Sequence, residues 1–345
     1  MGVKIFELVP KAELELADLA GKRVAIDTSL FLYQFLATIR QPDGTPLTDS
    51  RGRITSHLIG LFSRTTKLMQ VGVRPCFVLD GKPPMLKKAE QERRAELKIA
   101  AEAKYHIAAE QGDQEEMKKY AARSMHLTKD MVAEARKLVE ALGLPVVQGL
   151  GEGEAQAAYL ARQGDVWASA SQDADSLVFG APRLVRNLAI TGKKKKPGQL
   201  AYTVVRPELI ELKDVLKTLN LSQDQLVALA MLIGTDYNIG GIKGIGPKKA
   251  LKLVTEHPKD FGAMFASVKW SDTFETPWEE IFALFKHPAV ETKYDLTWKR
   301  PDANAVEKLL IDEHDFAAER VTKTLNDLMK GSEERSQKGL SSFFA

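Results

Sequence analysis

Three short apolar runs, each leading into a carboxylate, constrain this chain more than any other feature. Residues 22–26 (KRVAI) run into Asp27 and residues 74–79 (RPCFVL) into Asp80. Residues 165–171 (DVWASAS) lead to Asp173, with Asp175 two positions on. The runs are brief, apolar or β-branched, and separated by helix-periodic stretches, which is the pattern of strands buried on both faces of a parallel sheet. The expected fold class is therefore α/β, with a central, mostly parallel sheet flanked by helices. Ligands of such sheets lie beyond the carboxyl ends of the strands. Acids at three of those ends stand where chemistry takes place.

At 345 residues the chain has room for two domains, or for one large domain with insertions. Its longest apolar run, residues 226–234 (LVALAMLIG), is well short of the roughly 18 residues a membrane span needs. The N-terminus, MGVKIFELVPK, carries charges where a secretory signal is apolar, and Phe6 stands where a myristoylation motif requires Ser or Thr. The single cysteine, Cys76, excludes an internal disulfide and a multi-cysteine zinc site. His57, His106, His126, His257, His287 and His314 are dispersed, without triad or metal-ligand spacing. These features lead us to expect a soluble intracellular protein with no membrane partner. The formal net charge of +3 comes from 49 Lys+Arg against 46 Asp+Glu. If a cluster of the acids is neutralised by cations, the remaining surface is distinctly basic, which suits a polyanionic substrate.

Residues 84–142 read as a long helical stretch broken at Gln111-Gly112-Asp113. Up to about residue 130 it is too polar to bury much, and is expected to protrude as an arch over 84–130. An apolar stripe returns at Val132, Ala135, Leu138, Val139 and Leu142. Residues 193–198 (KKKKPG) read as a basic turn between strands at 183–190 and 199–205. Ser222 with Gln225 forms a capping box that starts a helix ending near 234–236. Residues 235–255 then read as a helix-hairpin-helix, centred on NIGGIKGIGPKKAL. There Gly244 and Gly246 let backbone N–H groups approach a phosphate and Pro247 starts a helix. Lys243, Lys248 and Lys249 add charge for a duplex backbone. Beyond residue 252 the chain reads as mainly helical to about 330, with loops near Pro258 and Pro301, and a polar tail closes it at 331–345.

Seven acids stand at the ends of elements in five separate segments: Asp27, Asp80, Glu152, Glu154, Asp173, Asp175 and Asp236. Within each pair the two-residue spacing lets both side chains face one pocket where the backbone is not yet helical. Gathered together, these carboxylates would repel strongly unless cations joined them. Oxygen-only donors favour Mg²⁺ or Mn²⁺ over zinc. Two such ions can activate a water and stabilise a leaving oxygen in phosphoryl displacement. Spacing alone also admits a plainer reading, in which the acids are scattered helix and strand caps.

The stretches VAIDTSLFLYQFL, FVLDGKPPMLK, GLGEGEAQAAYLA, SQDADSLVFG, GTDYNIGGIKGIGPKKAL and QKGLSSFF, in this order, resemble those of the archaeal-type flap endonucleases. That family of structure-specific 5′ nucleases includes excision-repair and exonuclease branches, and the resemblance covers essentially the whole chain. It implies that all seven acids are metal ligands, direct or through water, for two Mg²⁺ ions, with Mn²⁺ as a substitute. It implies that Lys87 and Arg94, seven residues apart on one helix face, reach the scissile phosphate, although neighbouring Arg93 leaves the register open by one residue. Tyr33 corresponds to an aromatic that stacks on a nucleobase near the cut; a place in the core is the alternative for it. Gly2 corresponds to a residue near the active site after removal of Met1. The hairpin would grip duplex DNA with a K⁺ ion. Gln337, Leu340, Phe343 and Phe344 match a sliding-clamp-binding motif.

The domain expectation is a nuclease core over 1–330, containing the arch and the hairpin element, followed by a flexible clamp-binding tail. The implied activity is divalent-metal-dependent cleavage of DNA at the junction of a 5′ flap and duplex, with 5′–3′ exonuclease action at nicks and gaps, in Okazaki fragment maturation and repair. The expected form is a monomer, cytoplasmic and nucleoid-associated in an archaeon, or nuclear in a eukaryote. Two rivals remain at this point: a 5′ exonuclease or bubble-cutting relative, and a catalytically silent junction binder recruited by the clamp.

Overall fold

The alternation of side chains along the central strands decides the layering. The computed structural model describes residues 3–41, 43–190, 192–195 and 202–341, with the backbone alone at 192–195, 202–203 and 332–341. In chain order the strands are β1 (Ala12–Glu13), β2 (Arg23–Asp27), β3 (Arg74–Leu79), β4 (Val146–Gln148), β5 (Ala168–Ala170), β6 (Arg183–Arg186), β7 (Gly192–Lys195), β8 (Tyr202–Val205) and β9 (Glu208–Glu211). Seven of them form one sheet in the order β1-β9-β6-β5-β2-β3-β4. From β4 across to β6 the pairings are parallel, and β9 runs antiparallel to both β6 and β1. The mostly parallel α/β sheet expected from the sequence is thus present, with two antiparallel strands added at one edge.

The helices that follow are α1 (Thr28–Thr38), α2 (Ser56–Val71), α3 (Lys88–Glu110), α4 (Gln114–Arg123), α5 (Lys129–Ala141), α6 (Gly153–Gln163), α7 (Asp175–Val178), α8 (Leu212–Leu219), α9 (Gln223–Ile233) and α10 (Pro247–Glu256). Val24 and Ile26 of β2 and Phe77 of β3 pack with Leu32 of α1, Leu61 of α2 and Leu138 of α5. The alternate residues Ala25, Cys76 and Val78 pack on the opposite face with Ala157 and Leu160 of α6. Period-two alternation with apolar residues on both sides is what a doubly covered sheet requires. The chain moves from β2 to β3 and β4 on one side, then returns to place β5 on the other side of β2. This reversal puts the carboxyl end of β2 at a topological switch point, where such sheets open a crevice.

The polar stretch forms α3 and α4, which pack on each other, and α4 also meets α1. Asp113 caps α4 through the amides of Glu115 and Glu116. Only Glu90, Ala101 and Ala108 are buried along α3, as its composition leads one to expect. Ser222 and Gln225 form the expected capping box at α9.

Three readings of the sequence need correction. Only 168–170 of the third run are strand, because the amides of Asp165 and Val166 turn back to the Leu160 carbonyl at 3.2 and 3.4 Å to close α6; the Asp165 side chain accepts the Tyr294 hydroxyl at 2.6 Å. The backbone of Lys193, Lys194 and Lys195 belongs to β7, which pairs antiparallel with β8, so these three lysines lie in a strand and not in a turn. The region after residue 252 is less continuously helical than expected. After α11 (Phe261–Ser267), α12 (Trp270–Thr273) and α13 (Trp278–Lys286), residues 288–302 form an irregular strap. Trp298 Nε1 donates to the Pro75 carbonyl at 2.7 Å, and Gln156 exchanges two hydrogen bonds with the Glu291 backbone at 2.9 and 2.7 Å. The chain closes with α14 (Ala303–Glu307), a π-helical turn at Lys308–Asp312 and α15 (Ala318–Ser341), whose backbone continues past the boundary drawn at 330.

Candidate active site

Each acid is set by the end of an element. Asp27 is the last residue of β2 and caps α1, accepting Leu30 N–H at 3.1 Å. Asp80 follows β3 and accepts the Gly153 amide at 2.7 Å as well as the Ser29 hydroxyl. Gly81 makes that approach possible: a β-carbon there would lie 2.2 Å from the Gly149 carbonyl oxygen. Glu152 is the N-cap residue of α6 and Glu154 lies in its first turn, accepting the Ser171 hydroxyl at 2.6 Å. Asp173 sits in the turn after β5, its amide donating to Ser171 Oγ at 3.1 Å, and Asp175 opens α7 and accepts Val3 N–H at 2.7 Å. Asp236 follows α9. Asp27, Glu152, Glu154, Asp175 and Asp236 are all buried, whereas Asp173 is half-buried and Asp80 exposed.

Electrostatics ties these positions to one pocket. Burial, and then the charges of Asp80 and Asp173, hold the Asp27 carboxyl well above the usual range. Burial raises Glu154 likewise, reinforced by Asp175, Asp173 and Asp27. Burial and Asp173 push Asp175 up to about 7. Such mutual elevation is the signature of like charges desolvated together. Among the described residues, however, no three acids converge closely enough to ligate one ion directly. Part of the pocket is held by side chains from the base of the arch instead. Lys87, ending a single turn at Met85–Lys87, pairs with Glu152 and lies 3.1 Å from Asp236 Oδ2. Arg94 Nη2 straddles Asp236 at 2.9 and 2.8 Å. Burial would lower the Lys87 ammonium, but Glu152 and Asp236 outweigh it and hold it above its ordinary value.

The donor set fits hard divalent ions. All seven acids offer oxygen only, five of them from buried positions, and carboxylates that now elevate one another's pKa gain most from an added cation.

The remaining expected residues fall into three groups. Tyr33 is 36% exposed beside buried Leu32, Phe35 and Leu36, so it does not join the core. Lys98 stands 4.9 Å from its ring centroid and donates to its hydroxyl at 3.2 Å. In the hairpin element Lys243, Gly244, Gly246, Lys248 and Lys249 are all exposed, and Lys249 Nζ donates to the Gly244 carbonyl at 3.1 Å. Nothing lies within 4 Å of where a β-carbon on Gly244 or Gly246 would stand, so this edge is open. Gly2, Phe343 and Phe344 lie outside the described residues. For Gln337 and Leu340 only the backbone, within α15, is described.

Several supporting residues escaped the sequence reading: Ser29, Ser171, Lys98 and above all Glu90. Glu90 is 2% exposed, with Arg93 and Arg94 both on its carboxylate. Burial would raise it, but the two arginines outweigh burial and bring it down to about 2. Its spacing of three and four residues before two arginines was a legible helix-pair signal.

Comparisons with known proteins identify the class of the chain. The chain matches the XPG N-terminal domain over residues 1–101 and the XPG I-region over residues 143–236. The catalytic core of Rad2 in complex with DNA substrate shares the fold, with a TM-score of 0.68 at 24% identity, covering 95% of this chain and 100% of that one. The class is therefore the XPG-type nucleases. Flap endonuclease 1 of Pyrococcus furiosus is 52% identical over 344 residues, covering 100% of this chain and 99% of the relative. The structure of flap endonuclease-1 from Methanococcus jannaschii superposes with a TM-score of 0.75 at 41% identity, covering 97% of this chain and 100% of that one. The chain belongs to the archaeal flap endonuclease 1 family, a family of endonucleases and exonucleases.

Proposed function

We propose that this nuclease cuts DNA at the junction of a 5′ single-stranded flap and duplex, leaving a 5′-phosphate and a 3′-hydroxyl, in a site where the seven acids hold two Mg²⁺ ions. The observation that carries this reading is the meeting of buried, mutually elevated carboxylates with Lys87 and Arg94 at the carboxyl end of the sheet. Divalent ions, when bound, supply charge neutralisation and activation of a water nucleophile. Mn²⁺, another hard oxygen-seeking ion, would substitute.

The chain's own residues supply the rest. Ser29, Gly153 N–H, Leu30 N–H, Ser171 and Val3 N–H fix the orientation of Asp80, Asp27, Glu154 and Asp175. Preorganised ligands of this kind need no rearrangement during reaction. Lys87 and Arg94 are cationic at every working pH, and a scissile phosphate entering the pocket competes with Glu152 and Asp236 for them. Exchanging a carboxylate partner for the phosphate places their charge where negative charge develops. Tyr33, exposed on α1, would offer a ring face for a base. The open hairpin edge, with Lys243, Lys248 and Lys249, suits a duplex backbone, with K⁺ as the ion of that turn. The Rad2 relative is described in complex with DNA substrate, which supports DNA as the partner here. We further propose a monomer working in an archaeal cytoplasm, recruited by a sliding clamp through Gln337, Leu340, Phe343 and Phe344.

The test is a 5′-labelled flap duplex incubated with Mg²⁺, with EDTA, and with the Asp173→Ala variant. One cut near the branch, absent in both controls, is the expected result. Junction binding without a cut in Mg²⁺ or Mn²⁺ would point to a silent binder. Undiminished cleavage by Asp173→Ala would remove the metal role from that acid.

A further inference from the structure

The arch-base helix α3 is almost entirely solvated, yet it carries one deeply buried carboxylate that the proposed chemistry does not use. Glu90 lies at the foot of the arch and lines a cavity of about 240 Å³ together with Lys4, Arg93 and Asp236. A buried carboxylate is costly unless it is paired and hydrogen-bonded, and Glu90 is fully engaged. Its two oxygens take Arg93 in a fork, Nε on Oε2 at 2.7 Å and Nη2 on Oε1 at 2.8 Å. Oε1 also accepts Arg94 Nε at 2.6 Å.

Consecutive residues on a helix point about 100° apart, so Arg93 and Arg94 do not face the pocket together unaided. One carboxylate three residues before the first and four before the second gathers both. Arg94 is thereby divided: its Nε is held by its own helix, while its Nη2 reaches across to both oxygens of Asp236 at 2.9 and 2.8 Å. The Arg94 side chain is 37% exposed, and the hydrogen bonds that orient its guanidinium run to Glu90 and Asp236.

We propose that Glu90 is a positioning residue: it locks Arg94 in the rotamer whose Nη2 reaches Asp236, while its two oxygens occupy the Arg93 guanidinium in a fork. This deepens the function proposed above and rests on Arg94 acting on the scissile phosphate. Glu90 would touch neither substrate nor metal. It selects, from two adjacent arginines, the one that serves the site, and so resolves the one-residue register that the sequence leaves open.

Two measurements on the full-length protein test it. The first follows the Arg94 Nε–Hε NMR resonance, assigned by its loss in Arg94→Ala. It should be sharp and slow to exchange in the wild type and in Glu90→Asp, and broadened by exchange in Glu90→Gln. The second is single-turnover cleavage of a flap substrate, with junction affinity measured in EDTA by anisotropy. Glu90→Gln should slow cleavage about tenfold with affinity changed less than about twofold, as expected on losing one charge-assisted hydrogen bond. The Glu90→Gln/Arg94→Ala double variant should be no slower than Arg94→Ala alone, since the two act as one unit. Glu92→Gln, an exposed carboxylate on the same helix, should match the wild type.

An unchanged Arg94 resonance in Glu90→Gln would overturn the proposal whether or not the protein cleaves DNA. So would losses that multiply in the double variant, or a drop in affinity that accounts for the drop in rate. Failure of the functional reading is separate, and shows as a wild-type protein without cleavage.

Discussion

Asp175→Asn should stabilise the metal-free protein while abolishing cleavage, and the gain should grow with pH. Asp175 is 4% exposed, and burial followed by the charge of Asp173 pushes its carboxyl from 3.8 to about 7. A carboxyl raised in the folded state contributes its full relative stability below about pH 4 and loses it as pH rises to about 7. A tenfold change in proton affinity corresponds to about 1.4 kcal/mol, so ionising Asp175 at pH 8 costs the fold about 4 kcal/mol, or about 2 where Glu154 and Asp27 share the proton. At pH 5 the same reckoning leaves about 1 to 2 kcal/mol, and at pH 3 essentially nothing. Asn does not ionise, and its Oδ1 can still accept the Val3 amide that now lies 2.7 Å from Asp175. With an unfolding entropy of about 2 cal/mol/K per residue, the variant should melt roughly 3–6 °C above the wild type at pH 8. The assay is thermal unfolding in EDTA at pH 5 and pH 8, repeated in saturating Mg²⁺. The metal should raise the wild-type Tm far more than that of the variant, because ligand binding stabilises only a fold that holds the ligand. A variant no more stable than the wild type at pH 8 in EDTA, or an increment identical at both pH values, would refute the account of a desolvated, mutually repelling acid cluster.

Two other perturbations address binding. The Lys248→Ala/Lys249→Ala double variant should flatten the dependence of log K on log salt for duplex by about 2, one for each phosphate no longer neutralised, while leaving cleavage at saturating substrate near wild type. An unchanged slope in an anisotropy titration would take those lysines off the backbone. Removing residues 337–345 should spare basal flap cleavage and abolish stimulation by a sliding clamp. Stimulation that survives in a reconstituted assay would locate the clamp-binding surface elsewhere.

The strands that carry the acids were legible because their signal is local. A short apolar run ending in Asp, as at 22–27 and 74–80, is readable without knowing its neighbours, and both match β2 and β3 almost to the residue. The capping box at Ser222 and the polar, helical character of α3 and α4 were legible for the same reason. What the sequence did not disclose depends on long-range packing. The strap at 288–302 takes its shape from Asp165, Pro75 and Gln156, each more than a hundred residues away. Three-residue β4 is strand only because β3 lies beside it. The lysines of β7 looked like a turn because four charges in a row suggest solvent, whereas their backbone is paired with β8. At the site, the sequence supplied the acids and both arch cations, but not that Lys87 and Arg94 would pair with Glu152 and Asp236. Nor did it show which of two adjacent arginines would do so. Side-chain direction across 142 residues of separation is a property of the packed fold.

The charge balance of the pocket divides along its two walls, and the division links the arch to the sheet. On one wall, Glu152 and Asp236 are neutralised by Lys87, from the turn that precedes α3, and by Arg94, from the second turn of α3. On the sheet wall, Asp27, Glu154 and Asp175 rest on Leu30 N–H, Ser171 Oγ and Val3 N–H, and their elevated pKa values mean that protons relieve part of the repulsion. Cations entering between the walls would act on both at once. They would displace protons from the sheet wall, so metal affinity must rise with pH through the range where Asp175 titrates. They would also compete with Lys87 and Arg94 for Glu152 and Asp236, releasing those two side chains toward a phosphate. On the proposed function, charging the pocket with metal and freeing Lys87 and Arg94 for substrate would then be one electrostatic event, because the carboxylates that those two side chains hold, Glu152 and Asp236, are also proposed metal ligands.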